Sequence, residues 1–246
     1  MDRVIYTAMT GATALVNRQQ AIANNLANVS TNGFRAELST YRSVPVQGAG
    51  ASTRVMALEA TAGHLETPGT LNSTGRNLDV AAVGNAYFAV QGLDGLEAYT
   101  RSGNLQVSAD GTLTSATGLP MLDEGSAPIA IPENAQVAIA VDGTVLARVG
   151  NDPPQLLGRM KLVTPNDEVR VKRGDDGLYR AADRTPLPQD TNARLKDGML
   201  EGSNVNAIEA MVGMIAVARQ FEQQMRLLQT AEKNDQTAAQ LLGLNG

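Results

Sequence analysis

Two stripes of apolar residues, one at each end of the 246-residue chain, restrict what it can fold into. Near the N-terminus Ile5, Ala8, Ala12, Leu15, Gln19, Ile22, Leu26 and Val29 follow one another in alternating steps of three and four. That is the heptad spacing that puts side chains on one seam of an α-helix. Gln19 is the single long polar side chain on the seam, and Gly11 weakens the helix by about 1 kcal/mol relative to alanine. Near the C-terminus Met211, Met214, Ala218, Phe221, Met225 and Leu228 make a second seam, which resumes at Ala239 and Leu242 after a polar gap at Glu232 and Asp235. Ser203 or Asn204 is expected to cap this helix, Glu209 to favour its N-terminal dipole, and Gly243 to stop it. One such stripe is ordinarily the core face of a globular helix. Two, at the extremes of a chain, predict that the ends pair, either with each other as an antiparallel coiled coil or with other copies.

From about Asn72 to Asp197 the period changes from helical to two. "YFAVQG", "AYTRSG", "LQVSADGTLTS", "APIAIPE", "QVAIAVDGTVLARV" and "GRMKLVTP" read as short strands. Asp94-Gly95, Asp110-Gly111, Asp142-Gly143 and Asp176-Gly177 suit the positive φ of tight hairpin turns. None has the spaced oxygen ligands and late glutamate of a calcium loop. Residues 35–71, with Pro45, Gly48, Gly50, Pro68 and Gly69, read as an extended connector with some irregular strand. The expected fold class is α+β. Residues 1–34 and 203–246 form a terminal helical domain packed like a coiled coil, and 72–202 form a mainly antiparallel β-rich domain.

Composition narrows the function. Apolar residues are 43% of the chain but aromatic residues only 3%, with no Trp, so the core is expected to be aliphatic and an aromatic-lined ligand pocket is disfavoured. The net charge of −5 is spread without a basic stripe, which gives no footprint for nucleic acid or an anionic membrane. No segment approaches the ~18 consecutive apolar residues of a membrane span, so direct membrane insertion is not expected. The start "MDRVIYTAMTGATALVNRQQ" lacks the basic and apolar regions of a Sec signal, and any export is expected to proceed without one. There is no cysteine, hence no disulfide, thiolate nucleophile or thiolate metal site.

The residues of catalysis are missing as well. His64 is the single histidine, too few for a histidine metal cluster, and no Gly-x-Ser-x-Gly elbow accompanies it. "GLDG" and "GNDPPQLLG" lack the Gly-Lys-Ser/Thr ending of a phosphate loop. The carboxylate pairs Asp175-Asp176 and Asp123-Glu124 fall in turn-like, solvated segments. The chain is therefore read as a non-enzyme, with no catalytic residue, cofactor or metal.

Four asparagines, two hydroxyl residues and a glycine crowd into "NNLANVSTNGF", Asn24 to Phe34, directly after the regular N-terminal stripe. Asn28 and Asn32 tolerate a left-handed backbone, Ser30 and Thr31 can bond local backbone, Gly33 permits a sharp bend, and Phe34 can anchor the turn. Asn24 and Asn25 can offer amides to neighbouring backbone across the seam. "ANNLANVSTNGFR", Ala23 to Arg35, resembles the signature of the flagellar axial proteins, the rod and hook family, with Asn24, Asn25, Leu26, Asn28, Thr31, Gly33 and Phe34 as its matching positions. "SNVNAIEAMVGMIAVARQFE" resembles that family's C-terminal helix, and "GTLNSTGRNLDVAAVGNAYFAVQ" with "AYTRSGNLQVSADGTLTSATGLPML" its β domain. The likeness covers nearly the whole chain, departing mildly at Asn85-Ala86-Tyr87, where relatives often carry Gly-Gly-Phe.

The resemblance implies a structural subunit of the bacterial flagellar basal-body rod, the drive shaft that crosses the periplasm from motor to hook. Chain length and the start "MDRVIYTAMTGA" resemble the proximal-rod members, with the slightly longer distal-rod members as the alternative. Implied partners are the chain itself, other axial rod proteins and, during secretion, the flagellar type III export apparatus. On this reading the seam residues are the subunit interface, and the terminal helices order on assembly, since isolated helices of this length are marginal. A secreted adhesin with a β domain on a coiled-coil stalk is the rival from another class, but it would carry its heptads in one continuous run.

Overall fold

The computed structural model describes residues 2–45, 55–166 and 169–243, with the side chains of residues 2–7, 57–62, 235, 238–239 and 241–243 outside the description. The chain divides into two compact units. One, the helical unit, gathers the residues up to Val29, the segment Glu37–His64, and everything from Val205 onward; the other, the sheet unit, comprises Ser30–Ala36 and Leu65–Asn204.

In the helical unit the two stripes form helices α1, Asp2–Ala27, and α2, Ala207–Gly243. They run in opposite directions against each other: Gln224 Nε2 donates to the carbonyl of Ala8 at 2.9 Å, and the Ile22 side chain lies over Gly213. The cap of α2 is Asn206, whose Oδ1 accepts the N–H groups of Ile208 (3.0 Å) and Glu209 (3.3 Å), not Ser203 or Asn204. Glu209 does occupy the first turn, where its charge suits the helix dipole. The segment read as an extended connector carries a long antiparallel pair, β1 (Glu37–Pro45) with β2 (Val55–His64), whose register shifts once at Thr40/Tyr41.

The sheet unit contains β3 (Leu71–Ser73), β4 (Val80–Ala82), β5 (Tyr87–Gln91), β6 (Glu97–Thr100), β7 (Leu105–Val107), β8 (Leu113–Ser115), β9 (Ala135–Ile139), β10 (Thr144–Val149), β11 (Gln155–Arg159), β12 (Leu162–Val163), β13 (Val171–Arg173), β14 (Tyr179–Ala181), β15 (Leu195–Asp197) and β16 (Met199–Glu201). Every pairing of these strands is antiparallel. The largest sheet runs β12-β5-β6-β14-β13; β11-β10-β9 form a second; β15-β4, β16-β3 and β7-β8 are two-stranded. The four Asp-Gly pairs stand at the turns of the β5-β6, β7-β8, β9-β10 and β13-β14 hairpins, with glycine φ of 75°, 70°, 90° and 79°. "APIAIPE" departs from its reading as a strand. It makes only isolated bridges, at Pro128 and Ala130, because Pro128 and Pro132 have no N–H to extend a ladder.

Strand β5 alternates between two cores. Phe88 and Val90 join Leu105, Leu113, Met121, Met160 and Leu162 on one side. Tyr87 and Ala89 join Tyr99, Val163, Tyr179 and Leu187 on the other. The first core is aliphatic apart from Phe88, as the composition predicts. The second rests on three tyrosines, a concentration that an overall aromatic content of 3% conceals.

Candidate functional site

The seam of α1 faces inward as its spacing predicts. Ala12 is buried, and Ala8, Leu15, Ile22, Leu26 and Val29 are half-buried; the side chain of Ile5 lies outside the described residues. Gly11 lies against the Gln224 amide, but a Cβ there would stand 3.4 Å from its Nε2, an ordinary contact, so the packing does not require glycine.

The seam of α2 is rotated. Met214, Ala218, Phe221 and Leu228 are half-buried, but Met211 and Met225 are 52% and 39% exposed. The innermost residue is Val217, 1% exposed, and Gln224 takes the inward place expected of Met225. Positions 214, 217, 221, 224, 228 and 231 obey the same three-four spacing. The sequence therefore allows two registers, and the structure occupies the one that turns Val217 and Gln224 inward. Ile208, Val212, Ile215 and Leu227 are more than half exposed together with Met211, which leaves α2 with a second apolar face that nothing in the chain covers among the described residues.

The asparagine cluster is spent largely within its own chain. Asn25 pairs with the backbone of Glu37 as a strand would: its Oδ1 accepts the Glu37 N–H at 2.7 Å and its Nδ2 donates to the Glu37 carbonyl at 3.0 Å. Asn24 Nδ2 donates to the Glu37 carboxylate at 3.0 Å, and Asn28 Nδ2 donates back to Asn24. Within the chain these bonds tie the end of α1 to the start of β1. Asn28 and Asn32 are not left-handed; that conformation falls to Gly33, at φ 70°. A Cβ on Gly33 would meet the Arg101 backbone at 2.5 Å. Its N–H donates to the Glu201 carbonyl at 2.7 Å, and the carbonyl of Thr31 accepts the N–H of Phe34 at 3.2 Å. Phe34 is buried beneath the guanidinium of Arg173, 4.3 Å from the ring centre.

Beside the motif, in the sheet unit, lies a charged core that reading the sequence missed. Glu201 is buried between Arg35 and Arg101. Its Oε1 accepts from Arg35 Nη2 at 2.8 Å and from the Gly69 N–H at 3.0 Å. Its Oε2 accepts from Nε of Arg101 at 2.9 Å and from Nη2 of the same side chain. Arg101 also donates to the carbonyls of Ala82, Gly84 and Ala86, and Arg35 to those of Glu66 and Thr67. Two cations thus share one carboxylate. Burial pulls the Arg35 pKa below the usual guanidinium value while Glu201 pushes it back up. The available signal was slight: Arg35 closes the N-terminal motif and Glu201 stands two residues before the C-terminal one. Asn204 stitches the same region, accepting from the Ala36 N–H at 2.7 Å and donating to the carbonyls of Leu65 and Thr67.

Among the described residues no group of three or more His, Asp or Glu side chains is placed to hold a metal ion, and no helix is long and apolar enough to cross a membrane. The helix faces and the motif present apolar side chains and backbone-directed amides, groups suited to packing and positioning.

Three segments match known families. Residues 5–35 match flagella basal body rod proteins, 81–147 the D1 domain of flagellar hook proteins FlgE/F/G, and 196–241 the C-terminal region of flagellar basal body rod FlgEFG proteins. Helix pair, β unit and matches together define the class of flagellar rod and hook proteins. The chain is 45% identical to the flagellar basal-body rod protein FlgF of Salmonella typhimurium and to that of Escherichia coli, each over the full length of both chains. It is 30% identical to the rod protein FlgG of Buchnera aphidicola from Acyrthosiphon pisum, over 96% of this chain and 98% of that one. The chain belongs to the FlgF family of flagellar basal-body rod proteins. These relatives are structural rod proteins.

Proposed function

We propose that the chain is a proximal-rod subunit that polymerises with other copies and with neighbouring axial rod proteins through its terminal helices, carrying torque from motor to hook. The observation that supports this reading is the second apolar face of α2, where Ile208, Met211, Val212, Ile215 and Leu227 stand in solvent while Val217 and Phe221 face α1. A helix apolar on two sides needs two partners, and a large exposed apolar face ordinarily marks an interaction site. The inward seam joins α1 to α2 in the manner of an antiparallel coiled coil, and the outward face joins one subunit to the next. Of the predicted interface residues, Met211 and Met225 serve that outward contact. Ala8, Ala12, Leu15, Ile22, Leu26, Met214, Ala218, Phe221 and Leu228 serve the inward one. Many such contacts per subunit transmit torque without any single strong site.

The proximal position is supported by the 45% identity to FlgF proteins against 30% to a FlgG protein. On this reading the chain leaves the cytoplasm through the flagellar type III apparatus without a cleaved Sec signal and works in the periplasmic part of the rod. Its helices complete their ordering on assembly. The test is photo-cross-linking in cells with the probe at Met225 and then at Leu15. Adducts of Met225 to axial proteins are expected. Adducts only within the chain from both positions would overturn the reading.

A further inference from the structure

A cavity of about 570 Å³ opens in the sheet unit beside the motif loop, lined among others by Phe34, Leu93, Leu119, Arg173, Asp176 and Tyr179. That volume falls within the ~300–1,000 Å³ usual for clefts that hold a ligand. Its two lining charges are not equivalent. Asp176 is engaged by Arg180 at 2.7 Å. Arg173 lies over the Phe34 ring and makes no ion pair among the described residues. The cavity therefore offers a mainly apolar surface, edged by hydroxyls and amides such as those of Thr31, Asn32 and Thr117, and one cation without a carboxylate. A short segment carrying an acid next to rigid apolar groups would complement it.

The same chain displays such a segment. Between β10 and β11 the turn Gly150–Pro154 presents Asp152, Pro153 and Pro154, all exposed. The Asp152 N–H donates to the Val149 carbonyl at 3.1 Å, which holds the turn in shape. Two consecutive prolines lose little conformational freedom on binding, so less of the contact energy is spent on ordering. The geometry points to the cavity as a socket for the Asp152-Pro153-Pro154 turn of a second copy, with the Asp152 carboxylate on Arg173 and the prolines against Leu93 and Leu119. Socket and plug are different patches of one surface, so the contact is heterologous and propagates from copy to copy, as a rod requires. This rests on the reading of the chain as a polymerising rod subunit.

The absence of native cysteine makes disulfide trapping clean. Two full-length variants, Ala116→Cys at the socket and Asn151→Cys at the turn, both at exposed positions, are distinguished by a size tag, mixed and mildly oxidised. The mixed adduct is expected to exceed both self-adducts. Asp152→Arg added to the turn copy should cut its yield about tenfold, as loss of a charge-assisted bond of ~1.4 kcal/mol would, and Arg173→Asp on the socket copy should restore it. Asp152 is exposed, so its variant stays folded, which far-UV circular dichroism checks. A mixed adduct no more abundant than the self-adducts, or one indifferent to Asp152→Arg, would overturn the socket. If Met225 meanwhile cross-links to axial proteins in cells, the socket alone fails; if it does not, the rod reading fails with it.

Discussion

Replacing Glu201 by glutamine keeps the shape of the buried charged core and removes its only anion. The structure then holds Arg35 and Arg101 side by side, 1% and 2% exposed, with no counter-charge. Breaking a buried pair from one side costs about 3–5 kcal/mol, a large share of the 5–15 kcal/mol that stabilises a typical domain. With a urea slope near 2 kcal/mol per molar, the unfolding midpoint of the sheet unit should fall by about 2 M. Tyrosine fluorescence reports this unit, since Tyr87, Tyr99 and Tyr179 all lie in its second core.

A comparison within the triad sharpens the test. Arg35→Met leaves one cation facing one anion and frees the carbonyls of Glu66 and Thr67, which belong to exposed residues that water can reach. Arg101→Met orphans the carbonyls of the buried Ala82 and Ala86. The expected order of loss is Glu201→Gln, then Arg101→Met, then Arg35→Met, the last about 1 kcal/mol or less. If Arg35→Met destabilised as much as Glu201→Gln, excess buried positive charge would not be what makes Glu201 essential.

Val217→Asp should separate α1 from α2 and lower helical circular dichroism of the free chain, whereas Met225→Asp should leave that signal unchanged and abolish swimming. Asn25→Ala removes two bonds to the Glu37 backbone and should cost the helical unit about 1–3 kcal/mol in urea denaturation. A Cβ at position 103 would stand 1.6 Å from the Val80 carbonyl oxygen, so Gly103→Ala should cost the sheet unit about 4 kcal/mol or more, read as loss of its thermal transition. Burial raises the pKa of Tyr87, Tyr99 and Tyr179 above the usual phenol value. The folded state then binds their protons more tightly than the unfolded chain does. That stability is complete below about pH 10 and is lost as the pH rises beyond it. Tyrosinate absorbance from these residues should therefore appear together with unfolding.

How much could be read beforehand depended on the range of the interaction. The helices, hairpins and turns were legible because each is set by neighbours a few residues apart: the three-four spacing of Ile5 to Val29, the Asp-Gly pairs, and the alternation in "LQVSADGTLTS". Where local pattern allowed two answers, the partner chose. In α2 the registers through Met225 and through Gln224 share Met214, Phe221 and Leu228. The selection came from the Ala8 carbonyl, 216 residues away, which accepts the Gln224 amide at 2.9 Å.

The asparagine cluster teaches the same lesson in the other direction. Its composition announced the end of a helix and its motif pointed to the family, but the partner of both Asn24 and Asn25 is Glu37, and nothing in the spacing names that residue. The sequence by itself determined the fold class, the family and the places where the chain turns, because periodicity, turn chemistry and motif are local properties. Only the tertiary structure decided which face of α2 remains open, that three of five tyrosines share one core, and that Arg35, Arg101 and Glu201 meet. Those outcomes depend on residues up to 216 positions apart that come together only when the whole chain folds, and no local pattern encodes such a meeting.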